Sequence, residues 1–312
     1  DGRKARKGVV RSGEEMKLLS AIVCAGLAWA QPAPPPARWT PLIGEYHRDY
    51  GIFHVYEKDG RLTIMVDRMF EYPLTELGPR RFRFPAKGMY PGAEVEFAPE
   101  GLRVGGTLFR RLPDPSAPGA TFRITPLRPI DELREQARRA APPREEGDFR
   151  TADRVELTSL DPTIHLDIRY ATSNNFLGTP VYERPRASLQ RPAAEALVRA
   201  HRWLKSQGYG LLIHDAYRPW MVTKIFWDAT PEDKRIFVAD PSKGSRHNRG
   251  CAVDLTLYDL KTGAPIEMTG GYDEMSDRSY PGFPGGPSRQ RWHRELLRRA
   301  MGGEGFAVFE FE

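Results

Sequence analysis

The chain has 312 residues, 40% hydrophobic and 28% charged, proportions ordinary for a globular protein with room for two domains. Of its formal charge of +6, residues 1–17 supply half, with six Lys and Arg against three Asp and Glu. The remainder is too mild to point to nucleic acid.

The first recognisable element is a targeting segment. Lys17 forms a short basic region after Met16, residues 18–27 are apolar, and Ala28-Trp29-Ala30 is a small-x-small cleavage signal before Gln31. Residues 1–15 then read as an upstream extension. The apolar run is shorter than the roughly 20 residues that span a bilayer, so no stable membrane span is expected. Ile22-Val23 ahead of Cys24 does not fit a lipoprotein signal. The expectation is an exported protein, periplasmic or secreted. Cleavage after Ala30 would leave Cys251 as the one cysteine, with no intramolecular disulfide, so the fold must rest on packed cores.

Residues 31–39 are a proline-rich spacer, because proline runs favour an extended helix without internal hydrogen bonds. From 40 to 112 the pattern changes. Short β-rich runs at 52–56, 62–66, 82–84, 95–97 and 102–104 alternate with Asp59-Gly60, Pro85, Pro91-Gly92 and Glu100-Gly101. That spacing predicts a small antiparallel sheet or barrel with an accessory role. His47 and His54 fall on it and read as surface or packing residues. Residues 113–150 form a linker rich in Pro and Arg with one helix over 130–140. Asp131 and Glu132 in its first turn and Arg138 and Arg139 in its last suit the helix dipole.

The segment 151–312 carries the chemistry. Residues 165–170 alternate as a strand, 192–207 have helical periodicity with Pro192 at the start and Gly208 as a stop, and 209–214 read as a buried strand. His201 reads as a packing or surface residue of that helix. Arg218 follows the strand in Asp215-Ala216-Tyr217-Arg218-Pro219, where its guanidinium can reach a developing oxyanion or pair structurally with Asp215. Residues 245–254, Ser-Arg-His-Asn-Arg-Gly-Cys-Ala-Val-Asp, put His247 and Asp254 seven apart. Extended, that spacing is roughly 23 Å, so the two meet one ion only if the chain folds back, with Gly250 as the bend. Residues 252–258 alternate, placing Val253, Leu255 and Leu257 on one face and Asp254, Thr256 and Tyr258 on the other. Imidazole with a carboxylate is a usual zinc pairing. On spacing alone such pairs also arise by chance. Cys251 points opposite to Asp254 and reads as a small buried strand residue rather than a ligand. Asp273, after Gly270-Gly271, reads as a solvated loop carboxylate or a binding group.

The pattern Ser245, His247, Gly250, Ala252, Asp254 resembles the zinc motif of D-alanyl-D-alanine dipeptidases of the vancomycin-resistance type and their D,D-carboxypeptidase relatives. Tyr170-Ala171-Thr172 with Asn175-Phe176, Gly208-Tyr209-Gly210 leading to Asp215-x-Tyr217-Arg218-Pro219, and Tyr272-Asp273-x-Met275 stand in the family's order around it. The resemblance covers residues 150–312. It implies an α+β fold, a zinc D,D-peptidase catalytic domain with an antiparallel sheet and flanking helices, behind the small all-β domain. It also implies one catalytic Zn2+ on His247 and Asp254, oxyanion stabilisation by Arg218, and an amine pocket of Tyr170, Ser245 and Asp273. The implied substrate is the D-Ala-D-Ala dipeptide; the alternatives are D,D-carboxypeptidase or endopeptidase action on peptidoglycan peptides, or an inactive wall-binding module. In the family the general base and third zinc ligand come from Glu-Trp-Trp-His after a Gly-Phe strand. Here Gly305-Phe306 leads to Glu312, which stands in the base position, and the Trp-Trp-His that should follow is absent. The chain as written is therefore expected to be truncated and to bind zinc weakly. His293, on a basic helix over 289–301, reads as solvated and a poor substitute, which leaves His214 at the strand end.

Overall fold

A computed structural model describes residues 30–49, 51–114 and 121–310. Cys24, Glu312 and all but the last residue of the targeting segment lie outside the described residues. Among the described residues no helix is long and apolar enough to cross a membrane.

The amino-terminal region is one antiparallel sheet of nine strands: β1 (Gly44–Arg48), β2 (Gly51–Lys58), β3 (Arg61–Val66), β4 (Phe70–Pro73), β5 (Thr75–Gly78), β6 (Arg81–Arg83), β7 (Glu94–Ala98), β8 (Gly101–Val104) and β9 (Thr107–Arg111). Their lateral order is β4-β3-β2-β1-β9-β8-β7-β6-β5. The two edges, β4 and β5, are separated in the chain by Leu74 alone. Their facing ends are thus at most about 7 Å apart, and the sheet has to roll around until its edges adjoin. Alternate residues such as Phe53, Val55, Ile64, Phe82, Val95 and Leu102 point inward and are almost fully buried. Tight hairpins hold the register. Asp59 and Gly60 have φ of 51° and 71°, and Gly105 and Gly106 have 54° and 85°, the mirror-image turn that matches strand twist. The five strands read from sequence are present. β1, β4, β5 and β9 were not legible, because each carries few inward apolar residues on an otherwise polar or proline-containing run.

The second region holds α1 (Ile130–Arg139), β10 (Arg154–Glu156), α2 (Leu157–Leu160), β11 (His165–Leu166), β12 (Ser188–Gln190), α3 (Arg191–Ser206), β13 (Tyr209–Asp215), α4 (Trp220–Ala229), β14 (Asp254–Asp259) and α5 (Ser288–Gly303). Its central sheet is β11-β13-β14. β13 and β14 are antiparallel, but β11 runs parallel to β13, so the sheet is mixed rather than antiparallel as expected. The strand read over 165–170 stops at Leu166 and turns into a short 3-10 segment, Arg169–Ala171. α3 lays Ala194, Leu197, Val198 and Leu204 on the sheet, and Leu296 and Ala300 of α5 join the same core. α1 buries Leu133 and Ala137 beside Val222, Ile225 and Phe226 of α4 in a second core.

The outward side chains of β2 are buried as well, because the second region covers them. His54 meets the edge of Phe283 at 5.7 Å, and the Arg291 guanidinium lies over the Tyr56 ring at 5.2 Å. The Glu57 carboxylate accepts from the Ser288 amide at 2.9 Å, capping α5 from across the interface, and its carbonyl accepts from Arg291 Nη2 at 2.6 Å.

Candidate active site

The site forms where β13 ends and β14 begins. The ladder slips between Ile213 and Asp215, so Asp215 rather than His214 stands opposite Asp254. Such an irregularity re-aims a side chain at a sheet end. The chain then turns through Ala216 and Tyr217 to Arg218, and Pro219 fixes the entry to α4.

His247 opens a single 3-10 turn, His247–Arg249, closed by Gly250 at φ 68°. Gly250 makes the bend its residue type suggests. The turn is knitted to the strand end: the Arg218 amide donates to the His247 carbonyl at 3.1 Å, and Asn248 Nδ2 donates to the Arg218 carbonyl and Thr223 Oγ1, both at 2.9 Å. His247 Nδ1 lies 2.7 Å from the Ala216 carbonyl, which can accept but not donate, so Nδ1 carries the hydrogen. Nε2 is left facing Asp254 Oδ1 at 3.3 Å. An imidazole whose far nitrogen is anchored to a carbonyl is oriented for metal binding through the other. Ligand atoms of Asp215, His247 and Asp254 lie within 4.8 Å of one another, a group able to hold a metal ion. Asp215 has both oxygens engaged, Oδ1 by Tyr182 Oη at 2.7 Å and the Ala216 amide at 2.8 Å, and Oδ2 by Arg218 Nε at 2.8 Å. It orients the site, and His247 with Asp254 are the pair turned toward a shared point.

Arg218 is buried at 7% exposure. Nε bonds Asp215, Nη2 reaches Asp254 Oδ2 at 3.3 Å, and the guanidinium lies 4.9 Å from the Phe226 ring centre and 5.8 Å from that of Tyr170. Both readings of Arg218 are thus compatible: it pairs with Asp215 through one edge and presents the other edge to the site.

Tyr170 Oη donates to Asp273 Oδ1 at 2.7 Å. Asp273 Oδ2 is buried with no hydrogen-bond partner among the described residues. Asp273 also has φ 53°, a left-handed conformation that costs a non-glycine residue free energy. Burial pushes its pKa up to about 7, against the Tyr170 hydrogen bond, and the Asp254 charge adds to the rise. Asp254 goes the other way. Burial opposes its ionisation, yet His247 and Arg218 outweigh that and hold it at about 2. His247 is likewise penalised by burial, and Asp254 raises its pKa above the ordinary value.

Other expectations meet different outcomes. Ser245 is buried, and its Oγ accepts from the His247 amide at 3.2 Å; among the described residues no hydrogen bond joins it to Tyr170 or Asp273. Cys251 is exposed rather than a buried strand residue, because β14 starts only at Asp254. His293 is not solvated: it is 5% exposed, its Nε2 lies 3.1 Å from Tyr209 Oη, and burial lowers its pKa to about 4. His201 is a packing residue, its Nδ1 accepting from the Leu211 amide at 3.1 Å. His214 stands beside the site with its ring edge on Tyr272 at 4.6 Å, its pKa lowered by burial. Residues 306–309 join no sheet, so the expected Gly-Phe strand is absent from the described residues. They do return to the site: the Arg246 guanidinium lies 5.2 Å from the Phe309 ring centre, next to His247. Tyr182 lies in an irregular segment without periodicity, and no sequence signal marks it; Tyr272 stands in the motif before Asp273, but the sequence assigns it no role.

Residues 150–312 match the family model described as D-Ala-D-Ala dipeptidase, Peptidase M15. This chain belongs to that family. It is 35% identical to the D-alanyl-D-alanine dipeptidase of Escherichia coli K12, over 52% of this chain and 82% of the relative. It is 36% identical to the Enterococcus faecium enzyme of the same name, over 51% and 89%. The Streptomyces coelicolor enzyme of that name is also 36% identical, over 53% and 89%. The family match starts at residue 150, so the nine-stranded sheet lies outside it.

Proposed function

We propose that this chain is a zinc-dependent peptidase that hydrolyses the D-alanyl-D-alanine dipeptide to two D-alanines, on a zinc D,D-peptidase fold. Membership of the family, with curated relatives named for this activity, supports the reaction class. The observation that carries the dipeptide is Asp273, a buried carboxylate with one oxygen on Tyr170 and the other unpartnered. A substrate ammonium would satisfy that oxygen and favour the ionised form, as any cation beside a raised carboxylate does. A site that needs a free amine next to the scissile bond accepts a dipeptide and disfavours chains extended beyond that amine.

His247 Nε2 and Asp254 would supply two of the three protein ligands a catalytic zinc takes, and both suit that role because Nδ1 is fixed by Ala216 and Asp254 stays ionised. When bound, zinc supplies Lewis acidity and lowers the pKa of a coordinated water. The protein's own groups do the rest. Arg218, held by Asp215, donates to the oxygen of the scissile carbonyl as it gains charge. Asp273 and Tyr170 fix the amine end, and Ser245 shapes the turn that presents His247. Glu312 would take a proton from the attacking water and pass it to the leaving amine. Export is part of the same proposal, supported by the apolar run at 18–27 and Ala28-Trp29-Ala30.

The test is D-alanine release from D-Ala-D-Ala, N-acetyl-D-Ala-D-Ala and a peptidoglycan pentapeptide, with zinc and with a chelator. Zinc-dependent release from the dipeptide, much faster than from either substrate whose amine is blocked, is the expected result. Release from the pentapeptide but not the dipeptide would replace this reading with a D,D-carboxypeptidase.

A further inference from the structure

The loop that carries Asp273 is held from both sides of the interface. Within the second region, Glu274 is 3% exposed and its Oε2 accepts from the Gly271 amide at 2.9 Å, while Oε1 accepts from Ser276 Oγ at 2.5 Å. Arg278 closes the loop on itself, its Nε donating to the Thr269 carbonyl at 3.0 Å and lying 3.5 Å from Glu274 Oε1. The left-handed turn at Asp273 is thus clamped between residues 269 and 278.

Two more contacts on this loop come from the β region. Arg278 Nη1 donates to Asp114 at 2.6 Å, three residues past the end of β9. Arg68 pairs with Asp277 from the turn between β3 and β4. That turn is itself strained: Asp67 and Arg68 have φ of 48° and 55°, a pair of non-glycine left-handed residues. Arg68 is the residue of that turn that spans to the loop. On the neighbouring strand β2, Glu57 caps α5 through the Ser288 amide.

We propose that the nine-stranded sheet acts as a brace for the amine-binding loop, with Arg68 and Asp114 as positioning residues that set where Asp273 meets the substrate ammonium. The proposal rests on Asp273 being the amine-binding group. Neither residue touches substrate. Each pins one neighbour of the other: Arg68 holds Asp277, and Asp114 holds the arm of Arg278 that the loop itself leaves over.

The brace predicts a defect confined to substrates with a free amine. In Asp114→Ala and Arg68→Ala, KM for D-Ala-D-Ala should rise by roughly two- to five-fold, in line with an ion pair that is partly exposed. The kcat should stay within about two-fold, and kcat/KM for N-acetyl-D-Ala-D-Ala should not change. Asp114→Glu, which keeps the carboxylate, should restore most of the loss. A merely structural role would lower both substrates together and leave the preference intact. An unaltered preference for the free amine in both alanine variants overturns the brace. If the wild-type enzyme itself shows no preference for the free amine, the Asp273 reading fails instead, and the two failures are told apart by that control.

Discussion

Replacing Asp273 by Asn should make the protein more stable at neutral pH and less able to bind its substrate. The rise of the Asp273 pKa from an ordinary 3.8 to about 7 corresponds to about 4 kcal/mol of disfavoured ionisation. The folded state binds a proton that the unfolded chain has released between about pH 4 and 7. Stability of the metal-free protein should therefore fall as pH rises through that window, by up to about 1.4 kcal/mol per pH unit, and level off above it. Below about pH 4 the group is protonated in both states and the cost disappears. In Asp273→Asn the dependence vanishes. The new amide nitrogen stands where Oδ2 had no partner and costs about 1–3 kcal/mol if it finds none. The variant should then gain about 1–3 kcal/mol over the wild type at pH 8 and lose to it by a similar amount at pH 4. Urea unfolding at a series of pH values, metal-free, measures both curves. Two parallel curves between pH 4 and 7 would refute the reasoning, because they would mean that Asp273 is ionised in the folded protein without strain.

Tyr170→Phe removes the one hydrogen bond that favours Asp273 ionisation, so the acid limb of kcat/KM for the dipeptide should move to higher pH, read from a pH–rate profile. Arg218→Ala should cost about 10²–10³ in kcat, and Arg218→Lys should not recover it, since an ammonium cannot bond Asp215 and Asp254 through two edges. Glu57→Ala takes the side-chain cap from the first amide of α5 and should lower stability by about 1 kcal/mol in thermal or urea unfolding. An unchanged unfolding midpoint for that variant would mean that the cap across the interface carries no net stability.

The bend and strand that carry the candidate site are legible in short, type-specific punctuation, while the roles of His247, Asp254 and Arg218 come only with the family resemblance. His247, Gly250 and Asp254 define a bend followed by an alternating strand, and the bend is there with Gly250 in the left-handed region. Arg218 follows a buried strand and precedes a proline, and it is found at the mouth of α4. What could not be read depends on neighbours far apart in sequence. Nothing near residue 182 announces that Tyr182 will hold Asp215, and no pattern tells that β11 runs parallel to β13, since register and direction are set by the crossover and not by the two residues in the ladder. His293 departs from its expectation for the same reason: a histidine among arginines on a helix looks solvated until Tyr209 and Trp292 close over it. The sheet's weaker strands were missed because a rolled sheet needs only one or two inward side chains from each. Tyr46 and Phe109 serve β1 and β9 in that way.

The two acidic groups of the site are displaced in opposite directions, and their surroundings explain a division of labour. Asp254 has His247 and Arg218 against it and sits at about 2; Asp273 has the Tyr170 hydroxyl and the field of Arg218 but no histidine to offset burial and the Asp254 charge, and sits at about 7. Burial raises both, so the difference lies in the cations. Asp254 stays ionised across the ordinary pH range, which suits it to the metal-ligand role proposed for it. Asp273 lacks one positive charge. On the proposed function a substrate ammonium would supply that charge, and would lower the Asp273 pKa by the same free energy that binds the amine. Recognition of a free amino terminus and the cost of a strained, half-neutralised carboxylate are then one quantity seen from two sides. That pairing is the usual sign of a residue kept for binding at the expense of stability.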